Sequence, residues 1–253
     1  MAKIVAIHSY RGGTGKSNIC ANVAAAVALQ GKRVGLIDTD IPSPGIHFIF
    51  GLEQNSGVDK TLNDYLWNRC AVEDAAYDVT PIEIRNEAGL MYLIPSSVNA
   101  DDIAKVLTEG YDFKKLNEAF RRFGDYYNLD YIFVDSHPGL NKETLLSITV
   151  SNLLLLILRP DRQDYQGTAV TVDIAKRLRV KNINLIINKA LPSMNLNALR
   201  FKVQQTYNLN VAGLLPLSPD MMQLGSTGIF YLKYPDHDLT AEIGKIAMQV
   251  LSV

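Results

Sequence analysis

Cysteine is scarce in this 253-residue chain, with Cys20 and Cys70 its only two. Two thiols cannot build a disulfide framework or a four-cysteine metal site, and they suit a reduced cytosolic protein. Long hydrophobic runs are missing as well. The longest purely aliphatic run, residues 153–158, is far short of the roughly 20 residues that a membrane span needs, and it reads as a buried strand. Neither sign of charge dominates. With a net charge of −1, no global field would carry the chain onto nucleic acid or anionic lipid, so such binding would need a local patch. Repeats, low-complexity tracts and long charge blocks are also lacking. The remaining composition, 47% apolar and 20% charged, is that of a globular protein and excludes a disordered or fibrous chain. The opening run Met1-Ala2-Lys3-Ile4-Val5-Ala6-Ile7 shows no cleavage site and leads straight into a glycine-rich loop, so a cytoplasmic location is expected. No linker composition interrupts the chain, and one domain over residues 1–253 is expected.

What is present is an alternation of strand-like and helix-like segments. Short β-rich apolar runs lie at 4–8, 33–38, 90–95, 131–135, 153–158, 183–188 and 211–215. Runs apolar on both faces suit parallel strands covered by helices on both sides. Residues 82–84 are expected to add a further strand. Between these runs, 16–30, 113–122, 168–178, 197–207 and 239–251 carry apolar residues at helical spacing, and Gly31 is a stop signal for the first of them. The implied fold class is α/β: a doubly wound, mainly parallel sheet flanked by helices, with ligands at the carboxyl ends of the strands.

The strongest local signal follows the first strand: Ser9-Tyr10-Arg11-Gly12-Gly13-Thr14-Gly15-Lys16-Ser17-Asn18. A glycine-rich turn between a strand and a helix lets backbone N–H groups curl around phosphate oxygens. The following helix start adds positive partial charge. Lys16 can reach the β- and γ-phosphates of a nucleotide, and the Ser17 hydroxyl can ligate Mg²⁺. The pattern G-x-x-x-x-G-K-[ST] asks for glycine where Tyr10 stands. The loop instead resembles the deviant Walker A loop of the MinD/ParA ATPases, K-G-G-x-G-K-[ST], with Arg11 in place of the signature lysine.

The resemblance extends along the chain. Asp38-Thr39-Asp40 is similar to the D-x-D segment that opens switch I. By resemblance Asp38 lies near the metal, and Asp40 positions or activates the attacking water. Asp135-Ser136-His137-Pro138-Gly139 looks like the Walker B aspartate and switch II, which implies that Asp135 holds the Mg²⁺ shell together with Ser17 and Asp38. A Mg²⁺–triphosphate site needs no histidine, so His137 is read as structural. Asn188-Lys189-Ala190-Leu191 lacks the aspartate of a guanine-reading N-K-x-D motif at position 191, which argues against GTP. The resemblance places Asn188 on adenine, with Pro216 and Leu217 of the segment 213–218 beside it. The implied nucleotide contacts are therefore Gly12, Gly13, Thr14, Gly15, Lys16, Ser17, Asn18, Asn188, Pro216 and Leu217. Arg11, Lys16 and Asp40 are the implied catalytic groups.

The resemblance implies Mg-ATP hydrolysis coupled to formation of a homodimer that sandwiches two nucleotides, with Arg11 reaching the partner's phosphates. Such a switch would position or partition a cargo and would answer to an activating protein. Two other readings remain: an ATP-gated binding module with little hydrolysis, and an ATP-dependent biosynthetic ligase. An iron–sulfur carrier would need cysteines near switch II or a C-x-x-C near the C-terminus. The segment Lys176-Arg177-Leu178-Arg179-Val180-Lys181 is either a local DNA-binding patch or a solvated helix end whose cations complement the dipole. Residues 239–251 carry almost no basic face and read as a core-packing helix rather than a membrane helix. Tyr65, Trp67, Tyr126 and Tyr127 are read as core or partner-surface aromatics.

Overall fold

The computed structural model describes residues 1–52 and 58–253. In chain order the first half contains β1 (Lys3–His8), α1 (Lys16–Ala28), β2 (Arg33–Asp38), α2 (Ile46–Ile49), α3 (Leu62–Leu66), β3 (Tyr77–Asp78), α4 (Ile82–Asn86), β4 (Leu90–Ile94), α5 (Ala100–Glu109) and α6 (Phe113–Tyr126). The second half contains β5 (Tyr131–Asp135), α7 (Lys142–Val150), β6 (Leu153–Leu158), α8 (Arg162–Arg177), β7 (Ile183–Ala190), α9 (Leu196–Tyr207), β8 (Asn210–Pro216), α10 (Pro219–Leu224), α11 (Phe230–Lys233) and α12 (Asp238–Leu251). The strands form one sheet in the order β3-β4-β2-β5-β1-β6-β7-β8. Among the described residues only the edge pairing of β3 with β4 is antiparallel.

The period-two alternation of each strand divides its side chains between two helical layers. Val5 and Ile7 of β1, with Leu36, Phe133 and Leu155, pack beneath α1 and α12. On the opposite face Ile4, Ile37 and Val134 meet α3 and α6, while Ala6, Leu154, Leu156 and Ile187 meet α7, α8 and α9. α1 is buried nearly all round, and its run of alanines lets it lie close to both the sheet and α12. α12 turns Leu239, Ile243, Ile246, Ala247 and Val250 inward, as a core-packing helix should. Among the described residues no helix is long and apolar enough to cross a membrane.

One sequence expectation is corrected. Residues 82–84 form no strand; they open α4 behind Pro81. Pro81 has a φ of −61° and stands at the N-cap, where a missing N–H does no harm. Of the two isoleucines there, Ile84 is buried and Ile82 exposed, the pattern of a one-sided helical turn. The extra strand is β3 instead, just two residues long and too short to carry a periodic signal. α5 and α7 went unpredicted. Each starts at an Asn cap, Asn99 and Asn141, that accepts from a first-turn N–H.

Leu155 is fully buried in β6, at the centre of the sheet. Leu155→Ala should cost about 3 kcal/mol through lost transfer energy and the cavity left behind. The shift of the urea midpoint at unchanged m-value measures it.

Candidate functional site

The register of the central strands assembles the site. β2 and β5 run parallel with Asp38 opposite Asp135, and β5 and β1 with Asp135 opposite Ile7. Both carboxylates and the start of the glycine loop therefore arrive at one level, on the carboxyl side of three adjacent strands. Ligands of open α/β sheets gather in such a place, where connections diverge to opposite faces.

The loop from Ser9 to Gly15 delivers the chain into α1. Gly15 stands at the N-cap with a φ of 92°, and a Cβ there would lie 2.7 Å from Asn188 Nδ2. Glycine is thus required both for the left-handed turn and for the close approach. α5, α6, α7, α8, α9 and α12 each begin with a side chain that accepts from a first-turn N–H. α1 has no such side chain. Its first N–H groups are left for an anion, the role that a phosphate fills at a helix N-terminus.

Lys16 lies at the mouth of this cradle, 7% exposed. Its Nζ is 3.8 Å from Asp40 Oδ2. Asp40 Oδ1 takes a 2.5 Å hydrogen bond from Nδ1 of His137. The ring expected to be merely structural thus touches the Asp40 carboxylate. Asp38 is fully buried and shapes the turn that carries Asp40: its oxygens accept from the N–H groups of Asp40, at 3.0 Å, and Gly45, at 3.2 Å. Burial, and then the charges of Asp135 and Asp40, push Asp38 well above the usual carboxylate range.

Asp135 differs in having neither carboxylate oxygen hydrogen-bonded, although both are buried. Burial pushes it up to about 6, while the Lys16 ammonium and the nearby Ser17 hydroxyl pull the other way. An unpartnered buried carboxylate among like charges is costly. A divalent cation would relieve it, so the donor set fits Mg²⁺ bound with a nucleotide. Ser17 and Asp135 would hold the cation's shell, Asp38 would stand behind them, and the cation would neutralise charge developing on the β- and γ-phosphates. Among the described residues no cluster of three or more His, Cys, Asp or Glu side chains could hold a metal alone. Mg²⁺ shared with phosphates and water needs none.

On the other side of the loop, Asn188 Nδ2 donates to the Thr14 carbonyl at 2.7 Å. Lys189 Nζ donates to the Gly13 carbonyl at 2.8 Å. The β7–β8 register shifts between Asn188 and Ala190, and Lys189 has a φ of 56°. That bulge aims both consecutive side chains at the loop, where a regular strand would send one away. Asn18, Asn188, Pro216 and Leu217 line one cavity of about 210 Å³ with Gly15 and Met221. The residues expected around the base are therefore brought together. Lys189 was missed, since its bulge leaves no mark in the hydrophobic pattern.

Arg11 does not face its own Lys16. Its guanidinium reaches the start of α8, with Nη1 3.6 Å from Asp164 Oδ1 and 3.8 Å from Asp161 Oδ1. Tyr10 leans the same way, and a Cβ on Gly167 of α8 would meet its ring at 2.0 Å. The basic segment 176–181 closes α8 at the opposite edge of the sheet, by the amino ends of β7 and β8. Lys176 and Lys181 line an open groove there, and Arg177 pairs with Asp173 at 2.9 Å. Of the aromatics, Tyr65 is buried. Arg69 and Lys105 lie over the Trp67 ring. Tyr127 packs against Tyr92, Phe123 and Tyr126.

Comparison with known proteins agrees with this geometry. The family described as ParA: NUBPL iron-transfer P-loop NTPase matches residues 1–251. An uncharacterized ATP-binding protein of Methanocaldococcus jannaschii is 30% identical over 253 residues, covering 99% of this chain and 88% of its own length. The septum site-determining protein MinD of Thermotoga maritima is 25% identical over 235 residues, covering 90% of this chain and 80% of its own. Among solved structures, MinD of Pyrococcus horikoshii complexed with Mg-ADP superposes with a TM-score of 0.82 at 22% identity, covering 99% of this chain and 96% of that one.

Gly15→Ala should lower affinity for a fluorescent ADP analogue by at least about ten-fold while the thermal unfolding curve stays cooperative. Backbone strain in a left-handed position and the clash with Asn188 act together there. Titration followed by fluorescence anisotropy checks it.

Proposed function

The chain belongs to the MinD/ParA family of P-loop ATPases, and from that premise we propose that it is a Mg-ATP-driven dimerisation switch that positions or partitions an intracellular cargo. The observation that carries this reading is the contact between Lys16 and Asp40. It ties the glycine loop to the segment after β2, and Asp40 in turn is tied to the segment after β5. A γ-phosphate binding at Lys16 competes with the Asp40 carboxylate for the same ammonium. Both flanking segments must register its arrival and its loss, as switch segments do.

In this reading the glycine loop from Gly12 to Ser17 and the start of α1 hold the phosphates. Asn18, Asn188, Pro216 and Leu217 hold adenine. Ser17, Asp38 and Asp135 serve the Mg²⁺, and Asp40 orients the attacking water. Lys16 and Arg11 stabilise charge on the transferring phosphoryl group, Arg11 from across a homodimer interface. Arg11 is 39% exposed and, among the described residues, pairs with Asp161 and Asp164 at the rim of α8, a partner it can exchange for another subunit's phosphates. A guanidinium forks onto phosphate oxygens and keeps its charge. Slow hydrolysis, accelerated by a protein partner, fits a switch whose lifetime carries the signal.

Iron transfer, named in the matching family's description, finds little support in the side chains. Cys20 is buried in α1, and burial pushes its thiol well up. Cys70 is a single half-buried thiol, and a cluster needs several thiolate ligands. For the output surface, the groove beside Lys176 and Lys181 leaves room for DNA phosphates on the face away from the nucleotide. α12 spends its apolar stripe on the core, which argues against direct membrane attachment.

Size exclusion with light scattering tests the switch. Wild type should run as a monomer with ADP and a dimer with ATP. Asp40→Ala should stay dimeric in ATP, Arg11→Ala should remain monomeric while still binding nucleotide, and Lys16→Ala should lose productive nucleotide binding. A wild-type monomer in every nucleotide state would overturn the proposal. Repeating the runs with DNA and with anionic liposomes assigns the surface.

A further inference from the structure

The ATPase mechanism set out above leaves His137 without a task. Its placement is nevertheless fixed from several sides. Ser136, just before it, donates its hydroxyl to the Ile7 carbonyl at 2.9 Å. The same oxygen meets Nδ1 of His8 at 2.9 Å. With its only proton on a carbonyl, the serine must accept there, so His8 is the donor. Ser136 is thereby pinned to the end of β1. Thr144 of α7 donates its hydroxyl to the His137 carbonyl at 3.1 Å. Two residues further on, Gly139 donates its N–H to the Ser9 carbonyl at 3.2 Å. The backbone carrying His137 is held by β1, by α7 and by the first residue of the glycine loop.

From this anchored position the ring extends to Asp40. Asp40 itself is only 7% exposed, and its other oxygen faces Lys16. An ionised carboxylate can only accept, so Nδ1 of His137 carries the proton of this bond. When phosphate oxygens take the Lys16 ammonium, the imidazole remains as the group that fixes the orientation of the carboxylate.

We infer that His137 is a positioning residue: it holds the Asp40 carboxylate in the rotamer that aims it at the attacking water, and so couples the segment after β5 to the segment after β2. This inference rests on the ATPase reading of Asp40. It assigns the histidine no exchange of protons with the substrate. A carboxylate free to turn about its side-chain torsions would spend less time in the productive geometry, and an error of about 1 Å in a positioned group is costly in rate.

The test measures single-turnover ATP hydrolysis and nucleotide affinity in parallel. His137→Ala should hydrolyse about ten-fold more slowly, with the dissociation constant for ATP within two-fold of wild type (both figures of the order expected for a positioning contact). His137→Asn places an amide N–H near the Nδ1 position and should recover most of the rate. His137→Gln places its amide nearer Nε2 and should not. Combining His137→Ala with Asp40→Asn should be no slower than Asp40→Asn alone, since both changes break one interaction. A His137→Ala protein at wild-type rate would overturn the inference, as would additive losses in the double variant. A second readout is independent of turnover. Two-dimensional ¹H–¹⁵N spectra of the imidazoles should show His137 protonated at Nδ1 in wild type and redistributed in Asp40→Ala; an Nε2-protonated neutral ring in wild type would overturn the contact itself. If wild type failed to hydrolyse ATP, the ATPase reading would fall, and the spectra would still decide whether His137 orients Asp40.

Discussion

Two carboxylates locked side by side on buried parallel strands are the constraint around which this molecule is arranged. Asp38 and Asp135 stand opposite each other in the β2–β5 register, and neither has meaningful access to water. Like charges that close in a low-dielectric interior repel strongly and resist ionisation. A fold selected for stability alone would place apolar residues at both positions, as it does along the rest of these strands. A cation that the pair is built to meet would account for keeping them. Lys16 supplies one positive charge nearby, and that leaves Asp135 unsatisfied.

The surrounding backbone makes the same statement with opposite sign. Six long helices receive a side-chain cap, while α1 opens on a left-handed glycine with its first N–H groups unclaimed. Negative strand ends and a positive helix start thus face one another across the glycine loop. A metal–polyphosphate complex carries both signs in the right order, the cation toward the strands and the anion toward the helix. Neither a free anion nor a free cation would satisfy both halves. This complementarity, more than any single residue, is the physical reason for reading the site as one for a Mg-nucleotide.

Much of this was legible in the sequence, and the parts that were not share a cause. The seven main strands appear as apolar runs because parallel strands covered on both faces cannot afford polar residues. The glycine loop and both aspartate segments are contiguous, so their spacing is visible directly. What stayed hidden depends on chain segments far apart in sequence. The contact of Asp40 with His137 spans 97 positions. The pairing of Arg11 with Asp161 and Asp164 joins the loop to α8. The bulge that turns Lys189 toward Gly13 comes from a register shift against β8. Residues 82–84 failed for a different reason, since three residues with two isoleucines cannot separate a strand from a helical turn, and Pro81 decided the matter locally.

Three side chains around the glycine loop converge on one physical theme. Tyr10 stands where the standard phosphate loop has glycine, Arg11 stands where the loop that this one resembles has its signature lysine, and His137 follows the β5 aspartate by two residues. Tyr10 packs against Gly167 and Arg11 pairs beside it, so the outer turn of the loop is bound to the start of α8. His137 binds the opposite side, through Asp40 to Lys16. In the single chain the loop is therefore restrained from both flanks by side-chain contacts rather than by its glycines alone. Restraint of that kind has two effects in opposite directions. It preorganises the cradle, which lowers the ordering cost of binding phosphate. In the proposed switch it would also give an arriving nucleotide specific contacts to displace, Lys16 from Asp40 and Arg11 from α8, so that occupancy would be converted into movement of defined groups. A ligand shifts a conformational equilibrium only by its differential interaction with the two states. In the proposed switch that difference would be carried by two cations, one released from a carboxylate inside the site and one from a pair of carboxylates on its rim.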